Sequence, residues 1–244
     1  MLRTRRAESV TEDHAPHEPA PRTVGEAIYG RLREDILNGL HPPGSKLMFT
    51  QLTATYATSM GTLREALTRL SADRLVVAEG QRGFRAAPIS LAELWDITRL
   101  RTEMEAAALE EAMAHGNDAW EARIVSSMHR LALLEQRHKR VPFLRTAEGA
   151  RLHKQFHMAL VAASPSVWRL RVIDVLYDHS ERYRRLQTSH MDRSRVSPDE
   201  HQEMAAAVVA RRKKVAVKLM TQHLHRTADM LASIEELWVP GGAT

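Results

Sequence analysis

Apolar residues recur every three or four positions in three separate runs along the first part of the chain. The first run follows Thr23, which has the capping-box spacing to the glutamate three residues on. Its apolar members are Val24, Ile28, Leu32 and Ile36. Glycines and prolines at 39–44 end this run, and two shorter runs predict helices over 50–57 and 60–72.

After the third run the apolar period changes from helical to extended. Residues 75–78 and 84–87 are mostly apolar and flank a polar, glycine-containing turn at 79–83. This arrangement predicts a two-stranded hairpin. Three short helices followed by a hairpin predict a winged helix-turn-helix domain over residues 23–88.

Beyond Pro88 the helical period continues to about Trp238. Ser90 has the capping spacing to Glu93, and later breaks contain Gly116 or a proline. The six predicted helices cover 91–114, 118–137, 142–163, 166–187, 198–211 and 213–237. The predicted fold is therefore mainly α, with an N-terminal winged helix-turn-helix followed by an all-α six-helix bundle at 89–238.

The two ends of the chain lack this periodicity. Residues 1–22 mix charges with three prolines and show no apolar period, so we expect a disordered arm there. Residues 239–244 are expected to form a short tail.

The composition narrows the functional classes. The 244 residues include no cysteine, which excludes disulfides, thiolate zinc sites and cysteine catalysis. No apolar run approaches the roughly 18 residues of a membrane helix, and the arginine-rich start lacks the apolar segment of a signal peptide. We therefore expect a cytoplasmic protein with no membrane partner. The net charge of +5 permits nucleic-acid binding but is too small to indicate it.

The third predicted helix carries candidate DNA contacts. The major groove admits one α-helix, and residues near the start of that helix reach the base edges. The candidates are Thr50, Ser59, Met60, Gly61, Thr62 and Arg64, with Arg82 and Gly83 on the predicted wing. The alternative is that 60–72 is a core helix with a solvated arginine face.

Four histidines are candidate metal ligands. His153 and His157 are four residues apart and share a helix face, and His201 and His223 lie on separate helices that could converge with them. Imidazoles suit a divalent ion such as zinc or nickel. The alternative is chance, because the chain has 13 histidines. His225 is a rival to His223, although the two face different directions on a helix.

The N-terminal motif resembles the GntR-type winged helix. The resemblance rests on the Pro43-Gly44 turn, the segment 63–67 (Leu-Arg-Glu-Ala-Leu) and the wing pair Arg82-Gly83. Two positions depart from the family pattern, because Met60 and Gly61 stand where the family usually has an arginine and a threonine. This departure leaves the operator sequence open.

The C-terminal helices resemble the ligand-binding domain of the FadR-type branch of that superfamily, also called FCD. The matching positions are Arg101 and Glu105, the segment 153–160, Glu200-His201 and His223-Leu224. The resemblance implies that the four histidines bind a divalent metal inside the bundle, with His153 replacing an aspartate. The segments 78–94 and 159–186 are similar to regulators of glutarate and related dicarboxylate catabolism.

The effector interpretation centres on Arg101. A buried arginine needs an anionic partner, which is either Glu105 or a ligand. In the ligand interpretation, Arg101 clamps a small organic acid with help from Arg99 and Tyr183.

The function that this resemblance implies is regulatory rather than enzymatic. We expect a homodimer on a pseudo-palindromic double-stranded operator, acting as a repressor that a small carboxylate such as glutarate releases. Two alternatives remain. One is a metal-dependent hydrolase that uses the histidine cluster, for which Glu200 is the only nearby carboxylate. The other is a regulator with degenerate DNA specificity.

Overall fold

The computed structural model describes residues 23–137, 146–187, 199–234 and 238. The N-terminal part contains α1 (Val24–Leu37), β1 (Lys46–Leu47), α2 (Phe49–Tyr56), α3 (Met60–Ala72), β2 (Val76–Ala78), a short 3₁₀ turn (Gly80–Arg82) and β3 (Phe84–Ala86). Six further helices follow as α4 (Leu91–His115), α5 (Asp118–Arg137), α6 (Ala147–Val161), α7 (Val167–Gln187), α8 (Asp199–Val209) and α9 (Lys213–Ala232). The predicted arm and tail lie outside the described residues.

Local capping positions the helices of the N-terminal part. The Thr23 hydroxyl accepts from the Glu26 amide at 3.1 Å, and the Glu26 carboxylate accepts from the Thr23 amide at 3.2 Å. This reciprocal pair is the predicted capping box. Ser59 caps α3 through its side chain alone, because its Oγ accepts from the Thr62 amide at 3.2 Å.

The wing is a three-stranded sheet rather than the predicted two-stranded hairpin. The strand order is β1-β3-β2, with both pairs antiparallel, and Lys46 pairs with Arg85. A strand of two residues is too short to show a period, so the sequence gives no signal for β1. Its Leu47 packs into the same core as α1–α3 and β3.

The helical part confirms the predicted mainly α fold, with adjusted bounds. Helix α6 begins at Ala147 among the described residues and ends at Val161, two residues before its predicted end. The first positions of the predicted 142–163 helix lie outside the described residues. Helix α9 ends at Ala232, where Ser233 caps it. The core of this part contains Trp120, Phe156, Leu160, Met204 and Met220, which are each 1% exposed or less.

Helix α7 contacts both parts of the molecule. Arg33 of α1 forms an ion pair with Asp178, and Arg185 donates to the Asn38 side chain at 2.6 Å. His179 is 3.0 Å from the backbone oxygen of Asp73, just after α3. The winged helix therefore rests directly on α7. Among the described residues, no helix is long and apolar enough to cross a membrane.

Candidate functional site

The start of α3 is an exposed surface. Met60 is 54% exposed, and Ser59, Gly61 and Arg64 are also exposed. The hydroxyls of Ser59 and Thr62 are 3.0 Å apart, so they satisfy each other as well as the helix end. This surface has the position and accessibility that a recognition helix needs.

Neighbouring residues extend this surface. Thr50 is exposed near the start of α2, and the Arg64 guanidinium lies 5.1 Å from the centre of the Phe49 ring. Arg82 is exposed on the wing, and Gly83 has a φ of 95°, a conformation that favours glycine. The predicted DNA contacts therefore occupy the exposed turns of α2, α3 and the wing.

Four histidines converge between α6, α8 and α9. Each of His153, His157, His201 and His223 offers one ring nitrogen, and these four atoms lie within 4.8 Å of one another. The Nε2 atoms of His153 and His201 are 3.2 Å apart. Two ligands at zinc–nitrogen distances of about 2.0–2.1 Å and a tetrahedral angle are separated by about 3.3 Å. The spacing therefore suits a small divalent ion.

Burial keeps these imidazoles neutral. Burial, together with the charges of neighbouring groups, lowers the pKa of His153, His157 and His201 well below its usual value. Burial also lowers the pKa of His223 to about 4. Neutral imidazoles present lone pairs to a metal without first losing a proton.

The surroundings of His157 indicate whether the residues fit a metal ion. Both of its ring nitrogens are buried, and neither has a hydrogen-bond partner among the described residues. A buried polar atom without a partner costs about 1–3 kcal/mol, so it calls for an explanation. A metal ion would satisfy one of these nitrogens. The other three ring systems have partial partners, such as the Tyr177 hydroxyl 2.5 Å from Nδ1 of His153.

Arg101 lies next to this cluster. Its Nε donates to Glu105 at 2.7 Å, and its Nη1 donates to the Ser180 hydroxyl at 2.8 Å. The third nitrogen, Nη2, is buried and has no hydrogen-bond partner among the described residues. The Arg101 guanidinium also lies 5.0 Å from the centre of the Tyr177 ring. The ion pair between Arg101 and Glu105 is thus present, and Nη2 of Arg101 remains as a donor without an acceptor among the described residues.

Two predicted effector residues, Arg99 and Tyr183, lie away from the histidine cluster. Arg99 points to solvent with 68% of its side chain exposed and pairs with Asp96. The Tyr183 hydroxyl donates to Glu93 at the start of α4, and its ring stacks on Trp238. Neither residue is brought to the histidine cluster. Arg99 lies two residues before Arg101, which turns its side chain away by about 200°, and Tyr183 lies one residue before Arg184, which turns its side chain away by about 100°. His225 is likewise exposed, whereas His223 belongs to the cluster.

Helix α7 contributes residues that the sequence reasoning missed. Tyr177, Ser180 and Arg184 all face the cluster or Arg101, and Arg184 lies close enough to lower the pKa of His153. Both guanidinium Nε and Nη2 of Arg184 donate to Glu181, with Nε at 2.7 Å. The available signal was polar residues at 177, 180, 181 and 184, which is helical spacing on a face that the fold buries.

Two family models match the chain. The model for bacterial regulatory proteins, gntR family, matches residues 24–85, and the model for the FCD domain matches residues 96–226. The chain belongs to the GntR family. It is a transcriptional regulator of the GntR/FCD type, as the resemblance in the sequence implied.

Relatives and solved structures agree with this GntR assignment. The uncharacterized HTH-type transcriptional regulator BphR of Paraburkholderia xenovorans is 37% identical over 86% of each chain. The HTH-type transcriptional repressor GlaR of Escherichia coli is 38% identical over 80% of this chain and 90% of its own. Escherichia coli McbR/YncC shares the fold with a TM-score of 0.72 at 17% identity, covering 86% of this chain and 97% of its own.

The GntR assignment decides between regulation and catalysis. The relatives and structural neighbours are transcriptional regulators and not enzymes. The hydrolase alternative was therefore wrong for the histidine cluster. Glu200, the carboxylate it required, instead contacts Nδ1 of His223 at 3.1 Å and pairs with Arg226.

Proposed function

We propose that this GntR regulator is a homodimeric repressor that a small dicarboxylate releases from its operator, through a metal site of four histidines. The observation that carries the proposal is the position of the unpartnered Nη2 of Arg101 beside four converging neutral imidazoles. The repressor role is supported by the printed name of GlaR.

The metal is a divalent ion such as zinc or nickel. His153, His157, His201 and His223 would hold it, and a bound ion would supply a Lewis-acidic anchor for a carboxylate oxygen. The unpartnered nitrogens of His157 support this assignment, because a metal would relieve the cost of burying one of them.

The charge of the site favours a dianionic effector. Four neutral imidazoles add no negative charge, so a divalent ion would keep its full charge in a buried site. Arg101 and Arg184 each have one carboxylate partner, Glu105 and Glu181. A dicarboxylate could bind the ion through one carboxylate and accept from the free Nη2 of Arg101 through the other, and its two negative charges would together balance the ion.

Helix α7 is the proposed route from this site to the DNA-binding part. Glu181 accepts from Arg184, which faces the cluster, and from Arg185, whose Nε lies at 2.9 Å. Arg185 in turn donates to Glu34 of α1 at 3.1 Å and to Asn38, directly after α1, at 2.6 Å. A ligand that changes the Arg184–Glu181 pair would therefore change how α1 is held. This coupling requires different ligand affinities for the two arrangements.

A second route runs parallel to the first. Lys154 of α6, next to His153 in sequence, pairs with Asp178 at 2.7 Å, and Asp178 also pairs with Arg33 of α1. Both routes cross the same junction between α7 and α1. We infer that a change at the cluster alters the placement of the winged helix.

The homodimer is proposed to form through the outer face of α7. Trp168, Val172 and Val175 lie at helical spacing, and they are 73%, 41% and 54% exposed. A stripe of this kind on a surface helix is a typical interaction surface. A second copy is the occupant that fits best, because a two-fold dimer matches a pseudo-palindromic operator.

A ligand panel tests the proposed function. Purified full-length protein, with zinc and after chelation, is screened for thermal stabilisation by small mono- and dicarboxylates, and glutarate is the first compound. At a ligand concentration near 100 times the dissociation constant, binding should add about 2.7 kcal/mol to the free energy of unfolding. We therefore expect a dicarboxylate to raise the melting temperature by a few degrees. The same compound should release the protein from DNA of its own upstream region.

Variants sharpen this test. Arg101→Lys keeps a charge but loses the fork that can hold Glu105 and a ligand together, so the ligand shift should fall strongly. Arg130→Lys, at an exposed position of α5, is the matched control and should respond to the ligand like the wild type. If no dicarboxylate stabilises the protein with or without metal, the effector class is wrong.

A further inference from the structure

Two adjacent residues at the start of α3 have no role inside the fold. Met60 is an apolar side chain that is 54% exposed. Gly61 does not have a positive φ, and a Cβ added to it would meet only Ser59 Oγ, at 3.8 Å, an ordinary contact distance. Glycine inside a helix costs about 0.8–1.0 kcal/mol relative to alanine. Packing within the chain therefore explains neither residue.

Their place in the helix gives them an external role. They are the first two residues of α3, directly after the Ser59 cap, which is the part of a recognition helix that reaches base edges. The neighbouring hydroxyls of Ser59 and Thr62 bond each other and the helix end, and Arg64 is stacked near Phe49. Met60 is thus the side chain at this start that is both exposed and without a bonded partner among the described residues.

The chemistry of Met60 selects one base feature. A thioether side chain has no hydrogen-bond donor and only a weak acceptor, so it reads a base edge mainly through apolar contact. In the major groove the one apolar group on a base edge is the thymine C5-methyl. We propose that Met60 contacts a thymine methyl in each operator half-site, and that Gly61 lets the backbone of α3 approach the DNA closely. This inference rests on the proposed operator binding.

Thymine-to-deoxyuridine substitution tests this contact directly, because it removes the methyl group alone. A preferred site is first selected from random double-stranded DNA with the full-length protein. Each thymine of that site is then replaced singly by deoxyuridine, and the dissociation constant is measured at fixed salt. At one position per half-site we expect an affinity loss of about fourfold, the effect expected for one buried methyl group.

The variants assign that loss to a residue. Met60→Ala should bind the thymine and deoxyuridine sites equally at that position, whereas Leu40→Ala, which truncates another exposed apolar residue, should keep the fourfold difference. Met60→Arg should shift the selected base at that position towards guanine, which an arginine reads through two hydrogen bonds.

Gly61→Ala separates DNA contact from helix stability. Alanine is the better helix former, so the variant should melt at the same or a higher temperature than the wild type. Its affinity for the selected site should nevertheless fall by about tenfold, the scale of one lost base-pair contact. A purely structural glycine would change the stability without this loss of affinity.

The outcomes are distinct. Sequence-specific binding without a methyl-sensitive thymine, or methyl sensitivity that persists in Met60→Ala, would overturn the inference and leave the proposed function intact. Equal binding to all DNA sequences, with the same salt dependence, would overturn both the inference and the proposed operator recognition.

Discussion

Arg185 and Asn38 join the two parts of the molecule, with Nη1 of Arg185 donating to Oδ1 of Asn38 over 2.6 Å. Arg185 lies on α7 and also bonds Glu181, which holds Arg184 near the histidine cluster. The Arg185–Asn38 bond is therefore connected to the proposed effector site through Glu181 and Arg184. An interdomain contact in this position can transmit ligand binding only if its geometry differs between the liganded and free states.

The first prediction concerns this contact. Asn38→Ala removes one of the two acceptors of Arg185 at this end of α1, the other being Glu34, but leaves the metal and effector residues in place. The variant should bind the dicarboxylate with wild-type affinity, while the ligand-induced drop in DNA affinity becomes several-fold smaller, within the 5–150-fold range of typical allosteric coupling. The measurement is DNA affinity with and without ligand. Coupling that is unchanged in Asn38→Ala would exclude the Arg185–Asn38 bond as a carrier and leave Glu34 as the contact of Arg185 on α1.

The second prediction concerns metal removal. His157→Ala should lower zinc affinity by at least about tenfold, since it deletes a ligand rather than an outer-shell group. Metal content after dialysis is measured by mass spectrometry. His225→Ala is the control. It changes an exposed histidine two residues after His223 and should keep full metal content. Chelation should lower the melting temperature of the wild type and of His225→Ala by more than that of His157→Ala.

A different result would change the meaning of the cluster. If the zinc-treated wild type carries no metal, the four histidines form a buried polar group without an ion. His157→Leu, which keeps most of the side-chain volume, should then be at least as stable as the wild type, because it removes two unpartnered buried nitrogens without leaving a large cavity.

The third prediction concerns the homodimer. Trp168→Arg places a charge in the exposed apolar face of α7, which should dissociate the dimer at micromolar concentration. Sedimentation or light scattering measures the molar mass. Val215→Arg, at a position that is 42% exposed on α9, serves as the control and should remain dimeric. A Trp168→Arg protein that stays dimeric would place the interface on another surface.

The fourth prediction concerns the turn between α4 and α5. A Cβ on Gly116 would lie 2.0 Å from Cε3 of Trp120, which is 1% exposed and donates to the Ala159 oxygen at 2.9 Å. Gly116→Ala should therefore lower the free energy of unfolding by about 1–3 kcal/mol, because the indole must move. Urea unfolding measures this loss.

A second glycine provides the matched control. Gly30 lies inside α1, and a Cβ there would meet nothing within 4 Å. Gly30→Ala should therefore leave stability unchanged or raise it by up to about 1 kcal/mol. Destabilisation of both variants to the same extent would show that the Trp120 contact is not the cause.

The sequence predicted the helices well, because their signals are local. Thr23 and Ser90, the caps that the sequence indicated, each precede a helix at the residue where the structure begins it. Strand β1 had no such signal, since two residues cannot display a period. Its identity depends on pairing with β3, which is distant in sequence.

The predicted effector residues show the limit of spacing arguments. Arg99 and Arg101 are close in sequence, yet one is exposed and the other is buried. Tyr183 was a reasonable aromatic candidate, but its hydroxyl is engaged at the start of α4. Arg184, one residue later, lies near the cluster instead. A helix turns by about 100° per residue, so the assignment of neighbours depends on how α7 is rotated in the bundle.

The sequence by itself determined the family, the mainly α fold, the order of its helices and the four histidines that could bind a metal. These depend on local periodicity, capping residues and motif spacing, which can be identified from the sequence alone. Only the tertiary structure decided that the histidines meet, that Arg101 keeps an unpartnered nitrogen, and that α7 contacts both the cluster and α1. These relationships depend on the packing of distant segments, because the rotation and position of each helix follow from the whole core and not from its own residues.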